Sequence, residues 1–316
     1  MQVRCSTGVV CTDYLGPGVE QVKGELEFAC LTRHQALVCL LRHRGNNLRE
    51  GDHVYFQAAL LYTSSSGQRL VRCHTLGLPV TRQLGHIFRT TDIETVSAVL
   101  TRRAVSQALR VKIGLQDILK EQVTDLMVTI LFLYRKNVAP NSPSSQLIMP
   151  ESLHMLPLYA LCVLKTVALR RNVIQGTTDV VADERAFRLL SMDSMSVRDT
   201  MVLLWPRLFS LHDLPPGVGD VPPLPDKPAT ADNDGGEGAA QAPVRYGKDV
   251  PMCLPPTAEK LSSDGVFLLD SGVELTMYVG RAVSGEVLMD LFGVRTLPGG
   301  KGGEPLCMEI GCGDGI

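Results

Sequence analysis

Phe56-Gln-Ala-Ala-Leu-Leu-Tyr-Thr-Ser-Ser-Ser-Gly-Gln-Arg-Leu-Val-Arg-Cys-His-Thr-Leu76 reads as a β-hairpin, and that reading sets the fold class. Apolar side chains alternate from Val54 through Phe56, Ala58, Leu60 and Tyr62, the period of two that turns one face of a strand toward a core. Ser64-Ser-Ser-Gly67 then supplies a turn, because glycine takes a left-handed backbone without steric cost. The returning strand places Val71, Cys73 and Thr75 on one face and Leu70, Arg72 and His74 on the other. Pro79, with no N–H to donate, ends it.

Working outward, Gln2 to Ser6, Glu25 to Phe28 and Leu37 to His43 are further candidate strands, so residues 1–85 form the all-β portion. The period changes at Thr91-Asp-Ile-Glu94, which has the Thr-x-x-Glu spacing of a capping box and is followed by Val96, Val99, Leu100 and Ala104 at helical spacing. Helices are expected there, over about Leu115 to Arg135, from Pro157 to Arg170, and in two short pieces between Asp183 and Leu211 with a stop near Trp205-Pro206; together they give a helical domain over residues 86–212. Residues 213–257 hold 10 of the 19 prolines, and this composition predicts a disordered linker. Val266 to Asp270 and the alternating Val273, Leu275, Met277 and Val279 predict a second hairpin, with a helix from Ser284 to Leu291 completing a β-β-α unit within residues 258–316.

The 316 residues leave room for about two or three domains, and 45% hydrophobic content is enough to build their cores. Lys and Arg number 31 against 33 Asp and Glu, for a net charge of −2. No global field therefore favours nucleic acid or an anionic membrane. The longest apolar stretches, Leu126 to Tyr134 and Leu156 to Leu164, fall well short of the roughly 20 residues a spanning helix needs. The first residues lack the apolar core of a secretory signal, which points to the cytosol. Nine scattered cysteines form no Cys-x-x-Cys pair. They read as reduced thiols packed as small hydrophobes, with no metal expected.

Four stretches, Met1 to Gly8, Val54 to Val80, Leu153 to Arg170 and Leu261 to Val294, resemble in order the β-sandwich, helical and gelsolin-like domains of the cargo-adaptor subunit of the COPII vesicle coat, the Sec-twenty-four family. The resemblance implies a multidomain α+β chain: a β-sandwich portion (1–85), an α-helical domain (86–212), a linker (213–257) and a partial gelsolin-like α/β domain (258–316). It implies cargo selection in transport from endoplasmic reticulum to Golgi, with no catalytic role and no cofactor. The implied partners are a second coat subunit, a small GTPase and the cytosolic tails of membrane cargo, which would hold the protein peripherally on the membrane. The family's zinc finger and trunk have no counterpart among these residues, so zinc is not carried over. The chain is expected to be a fragment with an incomplete sandwich, whose unpaired strand edge would lower its stability.

In that family, arginines on the returning hairpin strand help bind acidic sorting signals, and an arginine fork meets a carboxylate through two parallel charge-assisted hydrogen bonds. Matching Gly67-Gln-Arg-Leu-Val-Arg-Cys-His-Thr75 to the family's Gly-Gln-Arg-Arg-Ile-Arg-Val-His-Thr makes Leu70 and Arg72 the same-face pair, with one arginine replaced. Arg69 points the opposite way in a regular strand. His74 reads as a surface histidine or a base, although no nucleophile or carboxylate is placed beside it. Leu156, Leu158, Leu161 and Leu164 with Tyr159 read as a core stripe or a partner groove. Asp232-Asn-Asp-Gly-Gly-Glu-Gly238 lacks the twelfth-position Glu of a calcium loop. Two rival functions remain in view. Met308-Glu-Ile-Gly-Cys-Gly-Asp-Gly-Ile316 resembles the glycine-rich motif of S-adenosylmethionine-dependent methyltransferases, but no strand or helix follows it. The gelsolin-like segment alone suggests actin binding.

Overall fold

The computed structural model describes residues 1–45, 48–110, 118–143, 145–170, 181–214, 218 and 251–296. The chain divides into two units, Met1–Trp205 and Pro206–Ile316. In the first, the described residues form seven strands: β1 (Gln2–Cys5), β2 (Val9–Leu15), β3 (Val19–Val22), β4 (Glu25–Glu27), β5 (Val38–His43), β6 (His53–Thr63) and β7 (Arg69–Pro79). Five form an antiparallel sheet in the order β3-β4-β1-β6-β7, and β2 pairs with β5 in a second sheet. The β6–β7 register runs unbroken from His53↔Pro79 to Thr63↔Arg69. Its turn is closed by a left-handed glycine: the Gly67 N–H donates to the Ser64 carbonyl at 2.9 Å, Ser64 N–H donates to the Gln68 carbonyl at 2.8 Å, and Gly67 has φ +83°. Two of these strands escape a reading by alternation. β3 is exposed along its whole length, and β2 carries Asp13 and a register shift between Cys11 and Asp13.

Cys5, Cys11 and Cys39 come together from β1, β2 and β5, beside Tyr14. Burial first, then the neighbouring Cys11 thiol, pushes Cys39 up to about 12. Burial and Cys11 likewise raise Cys5. None of the seven described cysteines is fully buried, and Cys30, Cys73 and Cys253 are exposed, so the expected packing as small hydrophobes is partial.

The helices follow from α1 (Leu84–Thr90) and α2 (Ile93–Arg110). The capping residue is Asp92 rather than Thr91: the Thr95 N–H donates to the Asp92 carboxylate at 3.0 Å, while the Thr91 hydroxyl turns back to the Ile87 carbonyl. A π-helical turn at Lys120–Asp125 runs into α3 (Leu126–Val138). Then come α4 (Leu156–Lys165), α5 (Ala182–Ser194) and α6 (Val197–Leu204). α4 stops five residues before the expected Arg170, where the Thr166 hydroxyl bonds the Val163 carbonyl. α2 is the central helix, and Ala104 and Val105 join Val123, Val163, Leu169 and Leu204 in the main core.

Arg102, on the same helix, is 2% exposed. Its guanidinium donates to the Ala36 carbonyl at 2.9 Å and to the Met195 carbonyl. Around these carbonyls the backbone of His34–Ala36 pairs with that of Ser194–Ser196: Ala36 N–H donates to Ser194 O at 3.0 Å and Ser196 N–H to His34 O at 2.8 Å. The guanidinium thus ties the segment before β5 to the turn between α5 and α6. Burial disfavours its charged form, and the charge of Asp193 opposes that effect.

In the second unit, β8 (Arg207–Ser210), β9 (Val266–Asp270) and β10 (Leu275–Val279) form a sheet in the order β10-β9-β8, followed by α7 (Gly285–Phe292). Ser284 caps α7 by accepting from the Val287 N–H. Residues 207–210, placed by the sequence reading at the end of a helical domain, are a strand paired with β9. Pro206 blocks continuation of α6, and the buried Leu208 supplies a strand's inward side chain. Most of the linker 213–257 lies outside the described residues.

Replacing Asp92 by alanine should cost about 1 kcal/mol in urea unfolding at neutral pH, the ordinary worth of an N-cap. Hydrogen bonds from Thr95 lower the Asp92 pKa in the folded state. Its contribution is therefore present above the unfolded carboxylate value of about 3.9 and is lost as pH falls through the folded one, so wild type and D92A should converge in acid. Arg102→Ala should cost about 3 kcal/mol in the same assay, because it leaves two buried carbonyls unpaired and opens a void; a loss below about 1 kcal/mol would show that water replaces the guanidinium without penalty.

Candidate functional site

The register of the hairpin decides which side chains share a surface, since directly paired residues of an antiparallel ladder lie on one face. Leu70 pairs with Tyr62, Arg72 with Leu60, His74 with Ala58, Leu76 with Phe56 and Leu78 with Val54. The face carrying Arg72 is therefore the face whose far end is buried at Val54. Toward the turn it opens: Leu70 is 39% exposed, and every residue of β7 is exposed. β7 is an end strand of its sheet, with β6 as its one neighbour.

The Arg72 guanidinium carbon lies 5.7 Å from the centroid of the Tyr62 ring, a cation–π distance that holds the side chain over the aromatic face. Among the described residues no carboxylate pairs with Arg72. Its hydrogen-bonding fork is thus oriented and unneutralised. Tyr62 is the residue that the sequence reading left out of the site; the signal was available, because a register fixed at Thr63↔Arg69 puts residue 62 opposite residue 70. Arg69 pairs with Thr63 on the opposite face, so the structure groups Leu70 and Arg72 and leaves Arg69 apart. On that opposite face the Gln57 amide donates to the Thr75 hydroxyl at 3.3 Å.

The remaining candidates separate cleanly. His74 lies on the exposed strand opposite Ala58, without a nucleophile or carboxylate bonded to it among the described residues. In α4 the inward stripe is Leu156, Ala160 and Val163; Leu164 packs on the main core and Leu161 is 50% exposed, so the four leucines do not form one groove. The Asp232–Gly238 run and the Met308–Ile316 glycine motif lie outside the described residues. Among the described residues no cluster of His, Cys, Asp or Glu has the geometry of a metal site.

Two antiparallel sheets precede a helical domain built around one long central helix. The Sec23/Sec24 beta-sandwich domain matches residues 1–81 and the Sec23/Sec24 helical domain matches residues 92–202, and the chain belongs to this family. It is 31% identical over 296 residues to protein transport protein SEC24 B of Arabidopsis thaliana, covering 94% of this chain and 24% of that protein. To human protein transport protein Sec24C it is 30% identical over 300 residues, again covering 94% of the chain and 24% of the relative. A crystal structure of the human COPII-coat protein Sec24c superposes with a TM-score of 0.71 at 28% identity, over 93% of this chain and 33% of that one. The chain thus spans about a quarter of the length of the relatives it matches.

Proposed function

We propose that this chain is the cargo-binding part of a COPII coat adaptor and that the Leu70–Arg72 face of β7 receives an acidic sorting signal. The observation that carries the reading is the exposed Arg72, stacked on Tyr62 and free of any carboxylate among the described residues, in a chain of the Sec23/Sec24 family. A signal carboxylate meeting the fork of Arg72 gains a charge-assisted hydrogen bond, worth about 1.5–3 kcal/mol. Leu70 offers an apolar contact where a second arginine would add a second bond. Arg69, on the other face, contributes long-range charge alone. The second unit, with β8 as the third strand of its sheet, is read as part of a gelsolin-like domain that extends the adaptor.

The role is non-enzymatic. Membrane association would be peripheral and indirect, through a partner coat subunit, a small GTPase and cargo tails at the endoplasmic reticulum; no helix among the described residues is long and apolar enough to cross a membrane.

In a pull-down with a peptide bearing an acidic sorting signal, Arg72→Glu should lower capture about tenfold or more, and Arg69→Glu should lower it less. Leu70→Arg should raise capture about tenfold, by completing the pair. Capture that is unchanged in R72E removes β7 from cargo recognition.

A further inference from the structure

The junction of α1 with the C-terminal end of α3 borders a wide-mouthed cavity of about 510 Å³ whose polar lining is exposed, on different elements from the hairpin site. Its polar lining is Arg82, Gln83, His86, Arg89 and Asn137, and no Asp or Glu lines it. Two arginines with no carboxylate beside them on one small patch of surface favour an anion there. Among the described residues neither Arg82 nor Arg89 has an ion-pair partner. The wall is in ordinary contact: a Cβ added at Gly85 would meet the Val138 side chain at 3.7 Å. The Asn137 amide is held by its bond to the Leu133 carbonyl at 2.8 Å; His86, Arg89 and Asn137 stand on helices, and Arg82 and Gln83 lie in the segment just before α1.

We infer that this cavity binds a small phosphate ester. A planar arginine fork matches phosphate oxygens bidentately, and two forks, an imidazole and two amides offer more donors than a single carboxylate uses. The volume lies in the range of about 300–1,000 Å³ that suits small ligands, large enough for a phosphorylated sugar or cyclitol rather than one inorganic ion. The same chemistry is presented by a soluble inositol phosphate and by the headgroup of an inositol lipid.

The test is calorimetric titration of the whole chain with inositol trisphosphate, with inorganic phosphate as competitor. Parallel flotation uses phosphatidylcholine vesicles with and without phosphatidylinositol bisphosphate. Saturable binding is expected, weakened about tenfold or more in the double variant Arg82→Gln with Arg89→Gln, and unchanged in Arg42→Gln, an exposed strand arginine far along the sequence. Val138→Trp, which keeps both arginines but fills the cavity, should abolish binding; thermal unfolding of each variant establishes that it is folded. Flotation with the inositol lipid that R82Q/R89Q abolishes would assign the lipid as source, and binding confined to the soluble ester would assign the free one. No saturable binding of either, or binding of equal strength in R82Q/R89Q, overturns the proposal.

Discussion

The buried guanidinium of Arg102 is the constraint around which the first unit is arranged. A charge at 2% exposure is tolerable when its donors are satisfied, and the two carbonyls that accept from it come from positions 66 and 93 residues away. Neither carbonyl belongs to α2. The side chain can be buried only if the strand segment at Ala36 and the helix turn at Met195 arrive together, which makes the fold of one region conditional on the other. Ion pairs nearby do less: His34 and Asp199 are 3.4 Å apart with the histidine 63% exposed, a geometry in which solvent screening leaves about 1 kcal/mol at most.

Against that framework the outer strand of the hairpin is lightly held. The hairpin is closed by a continuous ladder and a turn whose glycine has the backbone freedom the turn demands, and its outer strand answers to nothing beyond β6. That arrangement suits recognition: Arg72 is oriented by its own cross-strand neighbourhood, so substitution at its tip leaves the buried Val54 at the far end untouched. Stability resides at the Arg102 junction, and the face proposed for binding lies on the end strand.

What could be read from the amino acids divides along the same line. The hairpin was legible to the residue pair, because alternation, a Ser-Ser-Ser-Gly turn and a closing proline all specify one register. The central helix was legible too, but its cap slipped by one, since Thr91 and Asp92 are both good capping residues and only the backbone decides between them. β3, exposed along its length, and β8, four residues behind a proline, have too little pattern to register. Arg102 sits among Thr101, Arg103 and Ala104 as one more charged residue of a helix; its burial is set by carbonyls that no local pattern announces. Tyr62 was within reach of register arithmetic, whereas the placing of Arg89 and Asn137 around one cavity depends on how α1 packs on α3.

The three cysteines gathered from β1, β2 and β5 have a chemical consequence. The thiolate is the form that attacks disulfides and electrophiles. With Cys39 pushed up to about 12, it is a thiolate on the order of one part in 10⁵ at neutral pH. The raised Cys5 is restrained in the same sense. Proximity would ordinarily invite oxidative crosslinking, but for Cys39 and Cys5 partial burial disfavours the ionised form needed to begin it. Two of the three gathered thiols are thus restrained from oxidation by their surroundings, with no disulfide needed to protect them.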